Sequence, residues 1–147
     1  MVDNFYKNKK ILITGATGFK GAWLTMILIL YGAKILGLGF KPNKNQNLFD
    51  KLNLKKKIKF KYVDVRNYDK LENAIKLFKP QIVFHLAAQP IIFQSYKDPL
   101  ATININSIGT LNLLEILRKI KSIKSIICVT SDKCYENNNS TKVFKED

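Results

Sequence analysis

A chain of 147 residues is long enough for one domain with a sizeable hydrophobic core. Its 25 lysines and arginines outnumber its 11 acidic residues, which gives a formal net charge of +14. Only Arg66 and Arg118 are arginines. Since anionic partners are commonly bound through the phosphate contacts of arginine forks, the composition favours solvated lysine faces over a surface for nucleic acid or for an anionic membrane. Cys128 and Cys134 have the spacing of neither a metal site nor a disulfide framework. With no signal peptide ahead of the first predicted strand, we expect a cytoplasmic protein with reduced thiols and no metal.

A glycine-rich turn joins the first two predicted elements. The apolar run Lys10–Thr14 predicts a strand, and residues 20–31 predict a helix. Gly15, Gly18 and Gly21 follow the strand in a G-x-x-G-x-x-G pattern. Glycines permit a tight turn and let backbone N–H groups approach a pyrophosphate, while the first turn of a helix presents free N–H donors and a partial positive charge to that anion. The segment therefore predicts a dinucleotide site.

Strands and helices alternate along the rest of the chain. Asn67 and Asp98 are the expected N-caps of two longer helices, Pro99 suits a first helical turn, and Pro80 stops the first of the two helices. The alternation predicts an α/β fold with a doubly wound parallel sheet (Rossmann) covered by helices on both faces. The predicted strands span residues 34–38, 58–63, 81–86 and 125–130, and the predicted helices span residues 68–78 and 98–120, with a short amphipathic piece at 48–54.

The pattern supplies five strands, whereas the complete doubly wound dinucleotide fold has six. We therefore expect residues 1–147 to be the N-terminal part of a dinucleotide-binding domain, truncated after its fifth strand. The substrate-binding C-terminal region of such a protein is expected to be absent. The apolar stretch 22–40 is long enough to be mistaken for a membrane span, but Gly32, Gly37 and Gly39 interrupt it, so a helix followed by a buried strand explains it better. We expect no membrane insertion.

The other candidate positions lie at the carboxyl ends of the strands, where open α/β sheets bind ligands. Phe40 and Lys41 stand where NAD-binding folds place an acid; Lys41 either favours NADP or is one more surface lysine, so both cofactors stay open. Asp64 follows the third strand, where it can accept a hydrogen bond from an adenine amino group; the alternative is that Asp64 or Asn67 simply caps the next helix. Residues 86–88 end the fourth strand with small side chains, which lets a ligand lie against the backbone. His85 is expected to be buried and hydrogen-bonded rather than a base.

Four stretches of the sequence carry a resemblance to a known family: ITGATGFKGAWL (13–24), FHLAAQP (84–90), SYKDP (95–99) and VTSDKCYEN (129–137). With them the chain resembles the CDP-glucose 4,6-dehydratases, which are extended short-chain dehydrogenases/reductases that act on a nucleotide sugar. A fifth stretch, NINSIGTLNLLE (104–115), fits the long fourth helix of that family.

The resemblance implies a hydro-lyase that works with NAD, with NADP not excluded, in deoxysugar and lipopolysaccharide biosynthesis. It implies that Ser131 hydrogen-bonds the sugar C4 oxygen, that Asp132 is the acid for the leaving C6 hydroxyl, and that Lys133 occupies the base position or instead orients a water or stabilises the enolate. The alternative is that residues 131–133 form an ordinary polar turn after a strand. The Asp-Lys pair is the most discriminating feature, because dTDP-glucose dehydratases carry Asp-Glu there and GDP-mannose dehydratases carry Ser-Glu. A homo-oligomer is implied for the full-length protein. The resemblance also places the cofactor against a set of residues: Gly15, Thr17, Gly18, Phe19, Gly21, Asp64, Val65, Leu86, Ala87, Ala88 and Asn106.

One family feature is out of place. The Tyr-x-x-x-Lys pair that oxidises C4 belongs on the helix after the fifth strand, whereas the only such pair here runs from Tyr6 to Lys10, ahead of the first strand. We interpret that pair as a chance match. The alternatives are therefore a non-catalytic dinucleotide-binding module, or another nucleotide-sugar dehydratase or epimerase of the same superfamily.

Overall fold

The computed structural model of the protein describes residues 4–41 and 47–131. Within these residues, parallel strands form one five-stranded sheet in the order β3-β2-β1-β4-β5. The chain moves outward from β1 to β3, then returns to place β4 on the other side of β1, which is the topology of a doubly wound fold and confirms the predicted architecture. The strands are β1 (Lys10–Thr14), β2 (Lys34–Gly39), β3 (Lys59–Tyr62), β4 (Ile82–His85) and β5 (Ser125–Cys128).

Helices cover both faces of the sheet, as parallel crossover connections require. Strand β1 is buried on both faces because neighbouring side chains of a strand point in opposite directions. Ile11 and Ile13 pack in one core with residues of the first three helices, and Leu12 packs in the other core with residues of the fourth and sixth helices. The helices are α1 (Phe19–Leu30), α2 (Leu48–Lys51), α3 (Leu54–Lys57), α4 (Tyr68–Phe78), α5 (Ile92–Lys97) and α6 (Pro99–Leu117).

The starts of α4 and α6 follow the predicted capping chemistry. Asn67 Oδ1 accepts a hydrogen bond from the Lys70 N–H at 3.0 Å, and Asp98 Oδ1 accepts one from the Ala101 N–H at 2.9 Å. Pro99 occupies the first turn of α6, where its missing N–H removes no intrahelical bond. Both predicted N-caps are confirmed, and α4 has the predicted bounds.

The helices and strands of the second half of the chain have features that the sequence pattern does not predict. Helix α6 holds a π-helical segment, Asn104–Ile108, between its α-helical parts, and ends at Leu117 rather than at Ile120. Helix α5 has no buried residue and therefore no apolar periodicity from which it could be predicted. Strands β3, β4 and β5 are each two residues shorter than the apolar run that predicted them, because those runs continue into the loops at the sheet edge.

The apolar stretch 22–40 divides between α1 and β2, as predicted. Within the described ranges, α6 is the one helix that is long and apolar enough to cross a membrane by length and composition. That criterion gives weak support on its own, because core helices of soluble proteins also meet it. Leu113, Ile116 and Leu117 of α6 belong to the core that α4 shares.

The thiol of Cys128 is free and exposed, while Cys134 lies outside the described residues. No group of three or more His, Cys, Asp or Glu side chains in the described part of the chain could hold a metal ion.

Candidate functional site

A cleft of about 380 Å³ opens at the carboxyl edge of the sheet, where the strand order reverses. It lies between the turn after β1 and the ends of β2, β3 and β4. Open α/β sheets bind their ligands in this crevice. The lining consists of backbone, small side chains and apolar side chains with few polar groups: Gly15, Thr17, Gly18, Leu38, Gly39, Phe40, Val63, Val65, Leu86, Ala87, Ala88, Gln89, Pro90, Ile91 and Ile105.

The turn after β1 needs its glycines for two different reasons. Gly15 has a left-handed φ of +72°, and a Cβ on it would lie 2.7 Å from the backbone of Leu86 and Ala87. Gly21 is buried, and a Cβ there would collide with the Gly15 carbonyl oxygen. These two glycines are required by the fold. Gly18 has a φ of −72°, and its Cβ would meet only the Gly15 oxygen, at 3.2 Å, so the space beside it belongs to the cleft.

Helix α1 begins at this cleft with uncapped N–H groups. Gly18 is its N-cap, and within the described residues no side chain caps the helix and no acid lies in its first turn. The first N–H groups of a helix have no intrahelical partner, and the helix dipole adds a partial positive charge. An anion such as a pyrophosphate supplies the missing acceptor. Gly39, at the end of β2, lets that strand approach the turn, since a Cβ on it would lie 2.7 Å from the Thr17 hydroxyl.

A buried chain of hydrogen bonds below the cleft joins β1, β4 and α6. His85 is 4% exposed; its Nδ1 lies 2.5 Å from Thr14 Oγ1 and its Nε2 lies 2.8 Å from Thr110 Oγ1. The Thr14 hydroxyl also accepts a hydrogen bond from the Ala87 N–H at 3.3 Å, and the Thr110 hydroxyl donates to the Asn106 carbonyl oxygen at 2.7 Å. The prediction of a buried, hydrogen-bonded histidine is confirmed.

The donors and acceptors of this chain fix the tautomer of His85. Thr110 donates its single hydroxyl proton to Asn106, so it can only accept from His85, which places the imidazole proton on Nε2. Nδ1 is then the acceptor for the Thr14 hydroxyl, and each of these groups is satisfied by a neutral ring. Burial also lowers the pKa of His85 below its ordinary value of 6.5. His85 is therefore a neutral residue that positions the backbone of the cleft wall.

The π-helical segment of α6 holds the backbone of Gln89 through the side chain of Asn106. Asn106 Oδ1 accepts a hydrogen bond from the Gln89 N–H at 2.8 Å, and Asn106 Nδ2 donates to the Gln89 carbonyl oxygen at 3.1 Å. The Gln89 side chain in turn accepts from the Ile91 N–H at 2.7 Å and donates to Thr102 Oγ1 at 3.0 Å. These bonds fix the cleft wall formed by residues 86–91. A π-helical insertion at such a site is a common functional adaptation.

The loop after β3 turns apolar side chains toward the cleft and holds its carboxylate in a local ion pair. Val63 and Val65 line the cleft, whereas Asp64 accepts hydrogen bonds from the Arg66 N–H at 2.8 Å and from the Arg66 guanidinium at 2.7 Å. Burial opposes ionisation of Asp64, but the hydrogen bonds from Arg66 outweigh it and lower the pKa of Asp64. The cap of α4 is Asn67, so the capping alternative for Asp64 is wrong. Its contact with an adenine stays a prediction.

Several residues that build the site are not among those predicted from the sequence. Gly109 lets α6 approach the loop after β3, because a Cβ on it would lie 2.5 Å from Val65 Cγ2. Asn112 Nδ2 then donates to the Val65 carbonyl oxygen at 3.2 Å. Thr14 and Thr110 complete the chain around His85. The sequence signal that could have found them is a hydroxyl residue inside an apolar run, because a buried hydroxyl needs a partner.

The structure brings most of the predicted cofactor residues together. Phe19 is 72% exposed at the start of α1, while Gly21 and Asn106 contribute through packing and through the bonds to Gln89. Direct contact of each predicted residue with a cofactor stays a prediction. The predicted residues that line the cleft are Gly15, Thr17, Gly18, Val65, Leu86, Ala87 and Ala88, and those outside its lining are Phe19, Gly21, Asp64 and Asn106.

The predicted catalytic loop follows β5 at the same edge. Strand β5 runs parallel to β4 with Cys128 opposite His85, so Ser131 comes just beyond the carboxyl end of the sheet. Asp132 and Lys133 lie outside the described residues.

The Tyr-x-x-x-Lys match lies at the other edge of the sheet. The ring of Tyr6 is 6.1 Å from that of Tyr31, which follows the end of α1, and Lys10 begins β1. The strands therefore separate this pair from the cleft, in agreement with its interpretation as a chance match.

A sequence model of the GDP-mannose 4,6-dehydratase family matches residues 12–147. The chain belongs to this family. It is 40% identical over 138 residues to CDP-glucose 4,6-dehydratase of Salmonella typhimurium, a match that covers 93% of this chain and 38% of that protein.

Solved structures share the fold of this chain, and two epimerases are among them. An epimerase from Methanothermobacter thermautotrophicus matches with a TM-score of 0.78 and 25% identity, over 96% of this chain and 40% of that chain. UDP-glucose 4-epimerase of Thermus thermophilus, in complex with NAD, matches with a TM-score of 0.69 and 31% identity, over 79% of this chain and 36% of that chain. The chain thus spans about two-fifths of the length of the relatives it matches. Those relatives include both dehydratases and epimerases of nucleotide sugars.

Proposed function

We propose that the chain is the NAD-binding part of a nucleotide-sugar 4,6-dehydratase that converts CDP-glucose to CDP-4-keto-6-deoxyglucose. One observation carries the proposal: the glycine turn and the uncapped start of α1 open into a cleft walled by backbone, methyl groups and apolar side chains. Identity to the Salmonella enzyme supports the choice of CDP-glucose, and the NAD complex of the Thermus epimerase supports the cofactor.

The residues present suit a dinucleotide. The pyrophosphate would lie beside Gly18, where a Cβ meets only the Gly15 oxygen and the helix offers its free N–H groups. Ala87 and Ala88 leave room for the rest of the cofactor against the β4 end of the cleft. Phe40 lines the cleft at the end of β2 and Lys41 follows it, exposed, so NADP remains the alternative at this position.

A graded series at Gly18 tests cofactor binding. We expect NADH affinity to fall from Gly18→Ala to Gly18→Val, by more than about tenfold for valine, because the added carbons occupy the path of the pyrophosphate. Urea unfolding of the variants is the control, since Gly18 has an ordinary φ and a Cβ on it would meet only the Gly15 oxygen, at 3.2 Å. Undiminished NADH binding by Gly18→Val in a fluorescence titration would show that the cleft does not hold the dinucleotide in this way.

The chemistry assigned to the chain concerns the loop after β5. Bound NAD supplies the hydride acceptor at sugar C4 and the hydride donor at C6. Ser131 would donate a hydrogen bond to the C4 oxygen, Asp132 would protonate the departing C6 hydroxyl, and Lys133 would take the C5 proton or stabilise the enolate, with net loss of one water. An acid that works near neutral pH needs a raised pKa and a lysine base a lowered one, so this loop requires a desolvated pocket.

The roles of Ser131, Asp132 and Lys133 are tested in a full-length enzyme that includes these 147 residues. We expect Asp132→Asn to spare the first hydride transfer and to block water loss, so that NADH absorbance rises and persists after CDP-glucose is added, with turnover reduced about 10²–10⁴-fold. Lys133→Met should act on the same step, and Ser131→Ala should slow the earlier oxidation. Asp50→Asn in α2 is the matched control. Near-normal turnover by Asp132→Asn without NADH accumulation would remove the carboxyl from the mechanism.

A 4-epimerase is the second candidate because epimerases are prominent among the relatives. An epimerase inverts C4 without loss of water, so the product mass separates the two activities.

We expect the 147-residue chain by itself to bind NADH without turnover of CDP-glucose, because its one Tyr-x-x-x-Lys pair lies at the wrong edge of the sheet.

We also propose a cytoplasmic homo-oligomer. Helix α6 supports it with an exposed apolar face that includes Leu100, Ile103 and Leu111. Sedimentation velocity over a range of concentrations checks this: Leu111→Lys should shift the protein toward the monomer, whereas Asn73→Lys, at an exposed position of α4, should not.

A further inference from the structure

A second cleft, of about 440 Å³, opens at the amino edge of the sheet, opposite the candidate dinucleotide cleft. Five lysines surround it: Lys10, Lys34, Lys56, Lys57 and Lys59. No acidic residue belongs to its described lining. We call these five lysines and their neighbours Leu77 and Phe78 the basic edge.

The sheet itself places these lysines side by side. Lys10, Lys34 and Lys59 are the first residues of β1, β2 and β3, which are adjacent in the sheet. Backbone hydrogen bonds from the Lys34 N–H to the Lys9 carbonyl oxygen and from the Gln81 N–H to the Lys10 carbonyl oxygen, at 2.9 Å and 2.8 Å, hold neighbouring strand starts together. The row of charges therefore stands on adjacent, hydrogen-bonded strands of the sheet.

These lysines are not neutralised by the rest of the described chain. The ion pairs among residues 4–41 and 47–131 are made by Arg66, Lys76, Arg118 and Lys119, and none involves a lysine of the basic edge. Asp64, Asp69 and Asp98 all lie at the opposite edge, where strands lead into helices. The helix dipole accounts for lysines in last helical turns, as in α3, but not for the lysines that begin strands. The basic edge thus brings five positive charges together with no acidic residue in its described lining.

Exposed apolar side chains stand among the charges. Leu77, in the lining of this cleft, is 78% exposed, and Leu30, in the last turn of α1 at the same edge, is 76% exposed. A phosphate backbone gives such residues no partner, and a second copy of the chain would bring two basic edges together. A bilayer with anionic lipids accommodates both kinds of side chain, since lysines bind headgroups and leucines enter the acyl boundary.

We propose that the basic edge docks the protein on the surface of a bilayer that contains anionic lipids. Strand direction then fixes the orientation: the amino edge faces the lipid and the dinucleotide cleft faces the aqueous phase, open to a soluble nucleotide sugar. The docking is electrostatic and shallow, without a segment that crosses the membrane. It does not depend on which reaction the opposite edge supports.

Vesicle co-sedimentation of the full chain tests the docking. The probes are vesicles of phosphatidylcholine with about one-third phosphatidylglycerol, vesicles of pure phosphatidylcholine, and a duplex DNA of mixed sequence. We expect binding to the anionic vesicles alone, weakened by added salt. The triple variant Lys10→Gln/Lys34→Gln/Lys59→Gln should lower the partition coefficient about a hundredfold, at roughly fivefold per lysine, and Leu77→Gln should lower it about tenfold.

The matched control removes the same charge at the opposite edge. Lys20→Gln/Lys70→Gln/Lys97→Gln should keep most of the vesicle binding, and thermal unfolding of both triple variants checks that they fold. An equal loss in the control, DNA binding as strong as vesicle binding and unaffected by Leu77→Gln, self-association that Leu77→Gln abolishes, or no vesicle binding would each overturn the proposal.

Discussion

The two edges of the same sheet are built on opposite principles. At the carboxyl edge the cleft is lined largely by residues with small side chains or none, so that backbone forms its surface. These residues are Gly15, Gly18, Gly39 and residues 86–88. At the amino edge each of the first three strands begins with a lysine, so the surface is made of long charged side chains. A backbone surface recognises a ligand by shape and by N–H donors, whereas a lysine surface recognises charge with little shape.

The difference predicts which edge tolerates mutation. Backbone at the carboxyl edge is held by contacts between β1, β4 and α6, so a single added carbon or a lost bond disturbs several elements. The lysine side chains at the amino edge form no ion pair among the described residues, and the one ring contact of a strand-starting lysine places Lys10 Nζ 5.9 Å from the centre of the Phe78 ring.

Gly15→Ala should have the largest effect on stability. Its left-handed φ disfavours any Cβ, and the added carbon would lie 2.7 Å from the backbone of Leu86 and Ala87. We expect a loss of about 3 kcal/mol in the free energy of unfolding, measured with urea. Gly18→Ala is the matched control and should lose less than about 1 kcal/mol. Equal losses at the two glycines would contradict the distinction between fold and ligand roles in this turn.

The neutral state of His85 predicts a pH dependence. Burial lowers its pKa in the folded protein, so the unfolded chain binds the extra proton first as the pH falls below 6.5. Stability contributed by the neutral ring is therefore complete above pH 6.5 and is lost as the pH falls below it. The loss should approach about 1.4 kcal/mol per pH unit.

Urea unfolding of the parent protein and of His85→Gln between pH 7 and pH 5 isolates the pH-dependent stability that the neutral His85 ring contributes. The variant should lose the slope in that window, whatever its stability at pH 7. Carboxylates act in a lower range: hydrogen bonds from Arg118 and Lys119 lower the pKa of Glu115 to about 2. A slope that persists in His85→Gln would assign the proton uptake to another group.

Asn106→Ala should have an intermediate effect. It removes both hydrogen bonds to the Gln89 backbone, which lies near enough to solvent for water to replace them in part. We expect a loss of about 1–2 kcal/mol and faster hydrogen exchange of the Gln89 N–H, whose acceptor is lost. Ser107→Ala, on the next residue of α6, should change neither quantity. Unchanged exchange at Gln89 would mean that the cleft wall is held without the α6 side chain.

The sequence predicts the parts of the fold that depend on local chemistry and on apolar periodicity. Asn67 and Asp98 could be identified as caps because a capping side chain acts within its own helical turn. The π-helical segment Asn104–Ile108 could not, because it depends on contacts of α6 with Gln89 and with the loop after β3. Helix α5 has no buried face and thus no periodic signal.

The candidate site divides in the same way. Gly15 and Gly18 belong to a motif whose spacing carries its chemistry, so they were identified from the sequence. The roles of Thr14, Thr110 and Gln89 arise between residues far apart in the chain. A hydroxyl residue inside an apolar run indicates that each threonine needs a partner, but it does not show which residue that partner is. The position of Asp64 at the carboxyl end of a strand predicts that it lies near the ligand site. That position does not predict the local ion pair that its carboxylate forms with Arg66.

Lys34→Gln at the amino edge should have the smallest effect on the fold. The Lys34 side chain is exposed and makes no ion pair among the described residues, and its backbone bond to Lys9 does not depend on the side chain. We expect the free energy of unfolding to stay within about 0.5 kcal/mol of the parent and NADH affinity at the opposite edge to be unchanged. Lys34→Glu adds a sharper test, because it changes the local charge by two units and should relieve repulsion from Lys10 and Lys59. If unfolding and NADH titration showed that either variant weakens the dinucleotide cleft, the two edges would be coupled through β2, and their separation into a binding edge and a charged edge would fail.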